Sequence, residues 1–386
     1  MKKFLGTTVS ALLFLCCLAQ PNKKTSVEGI ISDKSTHLPL SGAIIRIGER
    51  QAITDEKGYF IFTSLELNKE WLEVSSLGYE SFKQALGSGQ PKLTLAVELN
   101  PTPLFLQPLE IRSVRASERA PFTKTNLSKE QISKNNLGQD IPFLLDQTPS
   151  VVVNADAGNG IGYTAIRIRG TDATRINVTL NGIPYNDAES MGTYFVDLPD
   201  FGSSVSSIQV QRGVGTSSNG AGAFGATMNL STNEYNAKAY GESNNSFGSF
   251  NSFRNNLKGG TGLIGGHFTV DARLSKISSD GYIERASSDL QSFYLSGAYL
   301  TDNSSLRVNI FSGKEKTYQA WYGVPENMLS SNRRINPAGT EKAGSPYENQ
   351  TDNYTQTHYQ LFFNHRFKQN WQFNTAFFLT KGNGYY

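Results

Sequence analysis

The feature that most constrains the fold is a period of two that begins near residue 237. In residues 267–275, apolar and polar side chains alternate strictly, so one face of the segment is apolar and the other is polar. The same alternation recurs in residues 293–299, 306–310, 359–363 and 371–379. Any one of these segments also fits a soluble sheet with one wet face. The pattern therefore predicts amphipathic β-strands and leaves open whether they face water or lipid.

The connections between these strands favour a transmembrane β-barrel. Residues 301–303 and 368–370 form short turns, whereas residues 276–289 and 313–353 form long connections. Short periplasmic turns alternate with long extracellular loops in barrels of the outer membrane. We count seven strands by Lys381, and an open sheet edge in lipid is not viable. Barrels with a plugged lumen have about 22 strands, so we expect roughly fifteen more strands than residues 237–386 supply.

The N-terminus has the composition of a secretory signal. Two lysines are followed by apolar residues 9–18, and Ala19 is a small residue at the expected cleavage position. A membrane-spanning helix needs about 20 apolar residues, more than this run offers. A lipoprotein signal would use Cys16 or Cys17, but neither follows a small residue. Cleavage near Ala19 removes residues 1–19 and both cysteines, so we expect neither a disulfide nor a thiolate metal site.

Residues 25–99 predict a small antiparallel β-sandwich, because short strand-like runs recur with turn residues between them. The runs are residues 27–31, 43–47, 59–62, 71–75, 82–86 and 92–98. In residues 29–47, 54–62 and 72–82 the segment resembles the carboxypeptidase regulatory-like domain. The resemblance implies no peptidase activity, since no histidine has a glutamate three residues later.

Residues 120–232 predict a unit of mixed helix and strand. Ser128 and Gln131 have the spacing of a capping box for a short helix. Residues 140–153 indicate an apolar helix that breaks at Pro149, followed by a strand. Two strands joined by a turn are expected in residues 164–187, and a strand, a glycine-rich loop and another strand in residues 206–232.

Four motifs in this unit, in this order, resemble the plug domain of TonB-dependent receptors. They are Ile168-Arg169-Gly170, Leu180-Asn181-Gly182-Ile183-Pro184, Arg212-Gly213 and Phe224-Gly225. The plug-motif residues that we single out are Arg167, Arg169, Gly170, Asn181, Gly182, Pro184, Arg212, Gly213 and Gly225. The pattern G-x-G-x-x-G from Gly220 to Gly225 is not a dinucleotide site, because a strand follows it where a helix is required.

The family resemblance implies active import that is energised by the partner TonB from the periplasm. In this family a short segment, the TonB box, adds as a strand to the partner's sheet, and backbone hydrogen bonds hold the two strands together. We place the box in the proline-rich linker, residues 100–119. Its predicted residues are Leu109, Glu110, Ile111, Arg112, Ser113, Val114, Arg115 and Ala116. The alternative is an ordinary linker strand.

The ligand is expected above the plug, where residues 154–163 form a glycine-rich, flexible loop. The candidate ligand-binding residues are Tyr163, Tyr185, Asn186, Asp187, Glu189, Tyr194, Tyr318, Trp321 and Tyr322. Aromatic and hydrogen-bonding groups suit an iron–siderophore chelate, including the ferric-citrate type. Cobalamin, haem and an oligosaccharide are the alternatives. These side chains are equally expected if they only pack the plug against the barrel.

Two arginines of the plug are predicted to lock it in place. Strand alternation directs Ile166 and Ile168 into the plug core and Arg167 and Arg169 to the opposite face. We expect the two arginines to meet acidic or amide groups on the barrel wall, since charged pairs are directional and replaceable by water. The alternative is a pair of solvated surface arginines.

The fold class is therefore mainly β: a small Ig-like β-sandwich, an α+β plug domain and an incomplete antiparallel transmembrane β-barrel. A balance of 36 basic and 33 acidic residues argues against a nucleic-acid partner. The sequence contains no catalytic motif, and we expect no enzyme activity, no cofactor and no protein-bound metal. The expected location is the Gram-negative outer membrane, with its lipid and TonB as partners. A secreted β-module adhesin or glycan-binding protein would explain residues 25–99 but not the plug motifs.

Overall fold

The protein is described by a computed structural model that covers residues 24–34, 37–66, 70–76, 78–87, 90–100, 115–117, 120–216, 222–236, 238–301, 303–368 and 371–386. The predicted signal, the box residues 109–114 and Gly220 lie outside the described residues. The chain divides into two compact units, Met1–Phe105 and Leu106–Tyr386, and each is described by itself. Within the described residues, no helix has the length and apolarity that crossing a membrane requires.

The first unit is a sandwich of two sheets around an apolar core. Its strands are β1 (Thr25–Asp33), β2 (Ile44–Ile47), β3 (Arg50–Ile53), β4 (Tyr59–Leu65), β5 (Trp71–Ser75), β6 (Phe82–Ala85) and β7 (Lys92–Leu99). One sheet has the order β4-β1-β7 and the other β3-β2-β5-β6. Val27 and Ile31 of β1 pack with Ile45 and Leu72 from the other sheet, and all four are fully buried.

Two details of this sandwich differ from the prediction. Strand β7 pairs with β1 in parallel, from Ser26 opposite Lys92 to Asp33 opposite Leu99, so the sandwich is not wholly antiparallel. Alternation of side chains is the same for either pairing direction, and the connection alone decides it. The second detail is β3, which forms a hairpin with β2 and was not predicted.

The second unit begins with the plug. Its elements are β8 (Lys124–Ser128), α1 (Lys129–Asn135), β9 (Val151–Ala155), β10 (Thr164–Ile168), β11 (Ile176–Leu180), β12 (Ile183–Pro184), β13 (Ser207–Arg212) and β14 (Ala226–Ser231). Strands β12-β11-β14-β13-β8 form one mixed sheet, and β9 pairs with β10. Short 3-10 helices cover Ile141–Leu145, Ala173–Arg175, Phe195–Asp197 and Phe201–Ser203.

Of the two helices predicted in the plug, one is confirmed and the other is corrected. Ser128 caps α1 as predicted, because its hydroxyl accepts from the Gln131 N–H and the Gln131 side chain accepts from the Ser128 N–H. The apolar helix expected before Pro149 is only a 3-10 turn that ends at Leu145. The two strands expected in residues 164–187 are present as β10 and β11, but they pair with other strands and not with each other.

A seven-stranded antiparallel sheet, here called the wall, follows the plug. Its strands are β15 (Tyr240–Gly248), β16 (Ser252–Gly260), β17 (Phe268–Ser279), β18 (Ser288–Leu300), β19 (Ser304–Tyr318), β20 (Thr351–Lys368) and β21 (Trp371–Tyr385). Each pairs with the next, which confirms the predicted barrel-like sheet. The long connections are shorter than expected, residues 280–287 and 319–350, because the strands continue past the positions where alternation weakens.

The two faces of the wall show which environment each one meets. Leu257 and Leu274 are each 61% exposed on the outer face. On the inner face Arg273 and Asn309 are almost completely buried against the plug. A soluble sheet would cover its apolar face and leave its polar face wet. This sheet does the opposite, as the outer-membrane interpretation requires.

Candidate functional site

The plug is joined to the wall by a buried carboxylate on the plug and two arginines on the wall. Asp200 precedes the 3-10 helix Phe201–Ser203 and has a left-handed backbone with φ 52°. Its carboxylate oxygens lie 2.8 Å from the Arg254 guanidinium and 3.5 Å from that of Arg273. Asn256 and Ser275 of the wall also donate to this carboxylate. Burial alone would raise the pKa of Asp200, but the two arginines and the hydrogen bonds from Ser275 and Ser203 lower it.

Glycine allows the plug backbone to approach the wall closely beside this junction. Gly313 lies on the inner face of β19, and a Cβ there would collide with the carbonyl oxygen of Asp197 and with Pro199. The wall strand thus carries no side chain at this position, where the plug main chain comes close to it. Together, Asp200 and Gly313 define the plug–wall junction.

The Leu-Asn-Gly motif forms a second link between plug and wall. Asn181 and Gly182 have φ values of 58° and 84° and make the two-residue turn between β11 and β12. Asn181 is fully buried, and its amide donates to Gln360 of the wall at 3.0 Å. Its oxygen accepts from the Thr232 N–H at 2.7 Å. The motif therefore supplies a turn residue that also bonds to the barrel.

The arginines of the other motifs bond within the plug. Arg169 donates to the Thr123 hydroxyl at 2.8 Å, and Arg212 donates to the Pro149 carbonyl at 2.9 Å. Arg169 has φ 55°, since β10 ends at Ile168 and a turn begins. Alternation therefore does not carry Arg169 to the wall, which corrects the expected locking contact there. Arg167 is exposed, and no wall contact of its side chain is found within the described residues.

Above the junction lies an open chamber of about 690 Å³ between the plug and the wall. Five of the predicted ligand-binding residues line it: Tyr163, Tyr185, Asn186, Asp187 and Tyr194. Three acidic residues that were not predicted also line it: Asp197 of the plug, Glu315 of β19 and Asp352 of β20. Glu315 could have been predicted from the sequence, because the alternation along its strand places it on the inner face of the wall.

Several of the predicted ligand-binding side chains already make hydrogen bonds within the protein. Asn186 accepts from the Val178 N–H and donates to two backbone carbonyls, so it shapes its own loop. Asp187 accepts from Ser190 and Glu189, and the Ser190 hydrogen bonds lower its pKa. The Tyr185 hydroxyl donates to the Tyr194 carbonyl at 2.6 Å. These contacts support the packing interpretation for part of the set.

The remaining predicted residues are placed apart from the chamber lining. Tyr318 is 6% exposed and donates to the Tyr347 carbonyl inside the long loop. Trp321 makes an edge contact with Tyr163, their ring centroids 6.1 Å apart. Tyr322 and Glu189 are exposed on their loops. Their role in ligand binding stays a prediction.

The last two residues of the predicted TonB box are bonded to the plug sheet. Arg115 donates to the hydroxyl and carbonyl of Ser207 on β13 and to the carbonyl of Asn229 on β14. Ala116 exchanges two hydrogen bonds with the Gln209 side chain, of 2.7 and 3.1 Å. These two residues are therefore held by the central part of the plug sheet.

Residues 116–227 match the TonB-dependent Receptor Plug Domain family. The siderophore receptor PiuA from Acinetobacter baumannii is 14% identical, with a TM-score of 0.55, and the match covers 72% of this chain and 39% of that one. The ferric yersiniabactin uptake receptor FyuA from Yersinia pestis is 14% identical, with a TM-score of 0.53 and coverage of 70% and 42%. The ferric-catecholate import receptor Fiu from E. coli K12 is 17% identical, with a TM-score of 0.52 and coverage of 69% and 39%.

At these identities the likeness to solved structures is one of fold, and the chain spans less than half the length of the receptors that it matches. No curated protein matches the chain. The segment that matches the plug family lies against a barrel-like wall of seven strands. The chain therefore contains a segment similar to the plug domain of TonB-dependent receptors, and it shares its fold with the solved receptors named above.

Proposed function

We propose that the complete receptor imports an iron–siderophore chelate across the outer membrane, with energy from TonB. The observation that carries the proposal is the plug, which is bonded through exchangeable polar contacts to the inner face of the wall, beneath an open chamber. The structural relatives named above support the ligand class, because their names describe siderophore, ferric yersiniabactin and ferric-catecholate receptors. Cobalamin, haem and oligosaccharide import would use the same machinery.

The proposed sequence of events uses the order of segments along the chain. Export removes residues 1–19, the sandwich of residues 25–99 precedes the box, and the barrel sits in outer-membrane lipid. TonB binds the predicted box by strand addition at residues 109–114 and pulls, while Arg115 and Ala116 stay bonded to the plug. Because Arg115 and Ala116 are bonded to β13 and β14, the pull reaches the central strands of the plug directly.

A single substitution in the box tests the coupling. Ile111→Pro removes the backbone donor that strand addition to TonB requires, so we expect uptake of a radiolabelled ferric chelate to be abolished while its binding at the cell surface persists. Ile111→Val keeps the N–H and serves as the matched control, with near-normal uptake expected. Undiminished transport by Ile111→Pro would place the coupling strand elsewhere.

A further inference from the structure

The chamber is acidic, and its chemistry bears on which ligand it admits. Four carboxylates lie among the described residues that line it, together with one histidine, and no lysine or arginine is among them. A volume of about 690 Å³ falls in the range of small-molecule sites. An anionic ligand entering it would meet carboxyl groups with no compensating lysine or arginine among the described residues of the lining.

Among the acidic residues of the chamber, Asp197 is the one buried without a hydrogen-bond donor in the described part of the chain. The residue is 5% exposed, at the end of the 3-10 helix Phe195–Asp197, and it lines the chamber. Its carboxylate has no hydrogen bond or ion pair with any described residue. Burial, and secondarily the charge of Asp352, raise its pKa to about 7. A buried carboxylate without a donor is unfavourable, and a ligand cation in the chamber would relieve it.

The two neighbouring acids are supplied with donors, unlike Asp197. The Tyr163 hydroxyl donates to Asp352 at 2.5 Å and lies 3.3 Å from Glu315. Glu315 also accepts from the Thr317 hydroxyl at 2.9 Å. The chamber therefore presents one unsatisfied carboxylate next to two that are held in place.

The arrangement does not suit a bare metal ion. No group of three acidic or histidine side chains within the described ranges is close enough to hold a metal. The lining instead adds aromatic rings, from Tyr185 and Phe378 among others, and aromatic faces attract organic cations. An organic cation of some size uses both the separated carboxylates and the rings.

Resting on the import function proposed above, we infer that the chamber selects a ligand that presents an ammonium or guanidinium group to Asp197 and Asp352. It disfavours anionic chelates, so the ferric-citrate type drops from the candidates. The iron, if present, stays within the chelate and does not contact these side chains.

Two matched pairs of probes test the inference on the receptor produced from its complete gene, in outer-membrane vesicles. The first pair is a ferric trihydroxamate with a free primary ammonium group and its N-acetylated, neutral form. The second pair contains no iron: cationic aquocobalamin and neutral cyanocobalamin. We expect the cationic member of a bound pair to bind roughly tenfold more tightly, the lower end of what close charge pairs contribute. Asp197→Asn combined with Asp352→Asn should remove that preference and leave the neutral member's affinity unchanged.

The control is Asp146→Asn, which removes an exposed plug carboxylate that does not line the chamber and should keep the preference. Equal binding within a pair, or tighter binding of a ferric tris-catecholate than of the cationic probe, would overturn the charge inference. If only the cobalamin pair binds, the iron part of the proposed function fails, and that pair decides the charge inference. A receptor that binds neither cationic probe also overturns it.

Discussion

Asp197 and Asp200 lie three positions apart in the plug, and both are buried, yet their surroundings are opposite. Asp200 meets Arg254 and Arg273 of the wall, and its pKa is lowered. Asp197 faces the chamber without a donor, and its pKa is raised. Burial raises the pKa of a carboxyl group, and a neighbouring cation reverses that effect. One carboxyl group is thus bonded across the plug–wall junction, while the other faces the chamber without a hydrogen-bond donor among the described residues.

The largest expected effect comes from removing the charge at the junction. Asp200→Asn keeps a residue that tolerates the left-handed backbone but leaves two buried arginines without a counter-ion, so we expect a loss of about 3 kcal/mol in plug stability. The measurement is the melting temperature of the purified receptor, with bulky-antibiotic sensitivity of the cells as a second readout. Asp197→Asn is the matched control and should leave both unchanged or improve stability. Equal destabilisation by the two variants would refute the contrast between the carboxylates.

The pH dependence of the two variants sharpens the comparison. Because the folded-state pKa of Asp197 is about 7, above its unfolded value, its ionisation destabilises the fold as pH rises from about 4 to 7. Asp197→Asn should therefore stabilise the receptor more at pH 8 than at pH 4, by on the order of 1–3 kcal/mol. Asp200 has a lowered pKa, so its contribution is present above pH about 4 and fades as the pH falls through its folded pKa. The measurement is the melting temperature of both variants as a function of pH. Parallel curves for the two variants would contradict the prediction that the two carboxyl groups have opposite environments.

A smaller effect is expected from the wall side of the junction. Gly313→Ala places a methyl group against the Asp197 carbonyl and should cost about 1–3 kcal/mol of plug stability. Gly297→Ala on β18 is the control, since a Cβ there meets no atom within 4 Å. Antibiotic leakage and melting temperature should separate the two variants. If Gly313→Ala behaves like Gly297→Ala, the plug does not depend on this close approach.

The local patterns of the sequence predicted much of the fold because short-range chemistry fixes those elements. Alternation revealed the wall strands, and the spacing of Ser128 and Gln131 revealed the start of α1. The parallel pairing of β1 and β7 was not predictable in the same way, since it depends on how the chain crosses between sheets.

The site was less accessible from sequence. The aromatic and amide residues that line the chamber were found because loops next to the plug motifs contain them. The junction was missed, because Arg254 and Arg273 look like any other polar residues of an alternating strand. Their importance arises only when the plug places Asp200 between them, which is a tertiary fact.

The absence of a side chain at Gly313 also determines the height of the plug along the wall. The inner-face neighbours of Gly313 along β19 are Phe311 on one side and Glu315 on the other, so the glycine is a gap in a row of large side chains. If the plug slid along the wall by one inward-facing position, the Asp197 carbonyl would meet an aromatic ring or a carboxylate. The contact between the plug main chain and Gly313 therefore fits only one height of the plug along this strand of the wall.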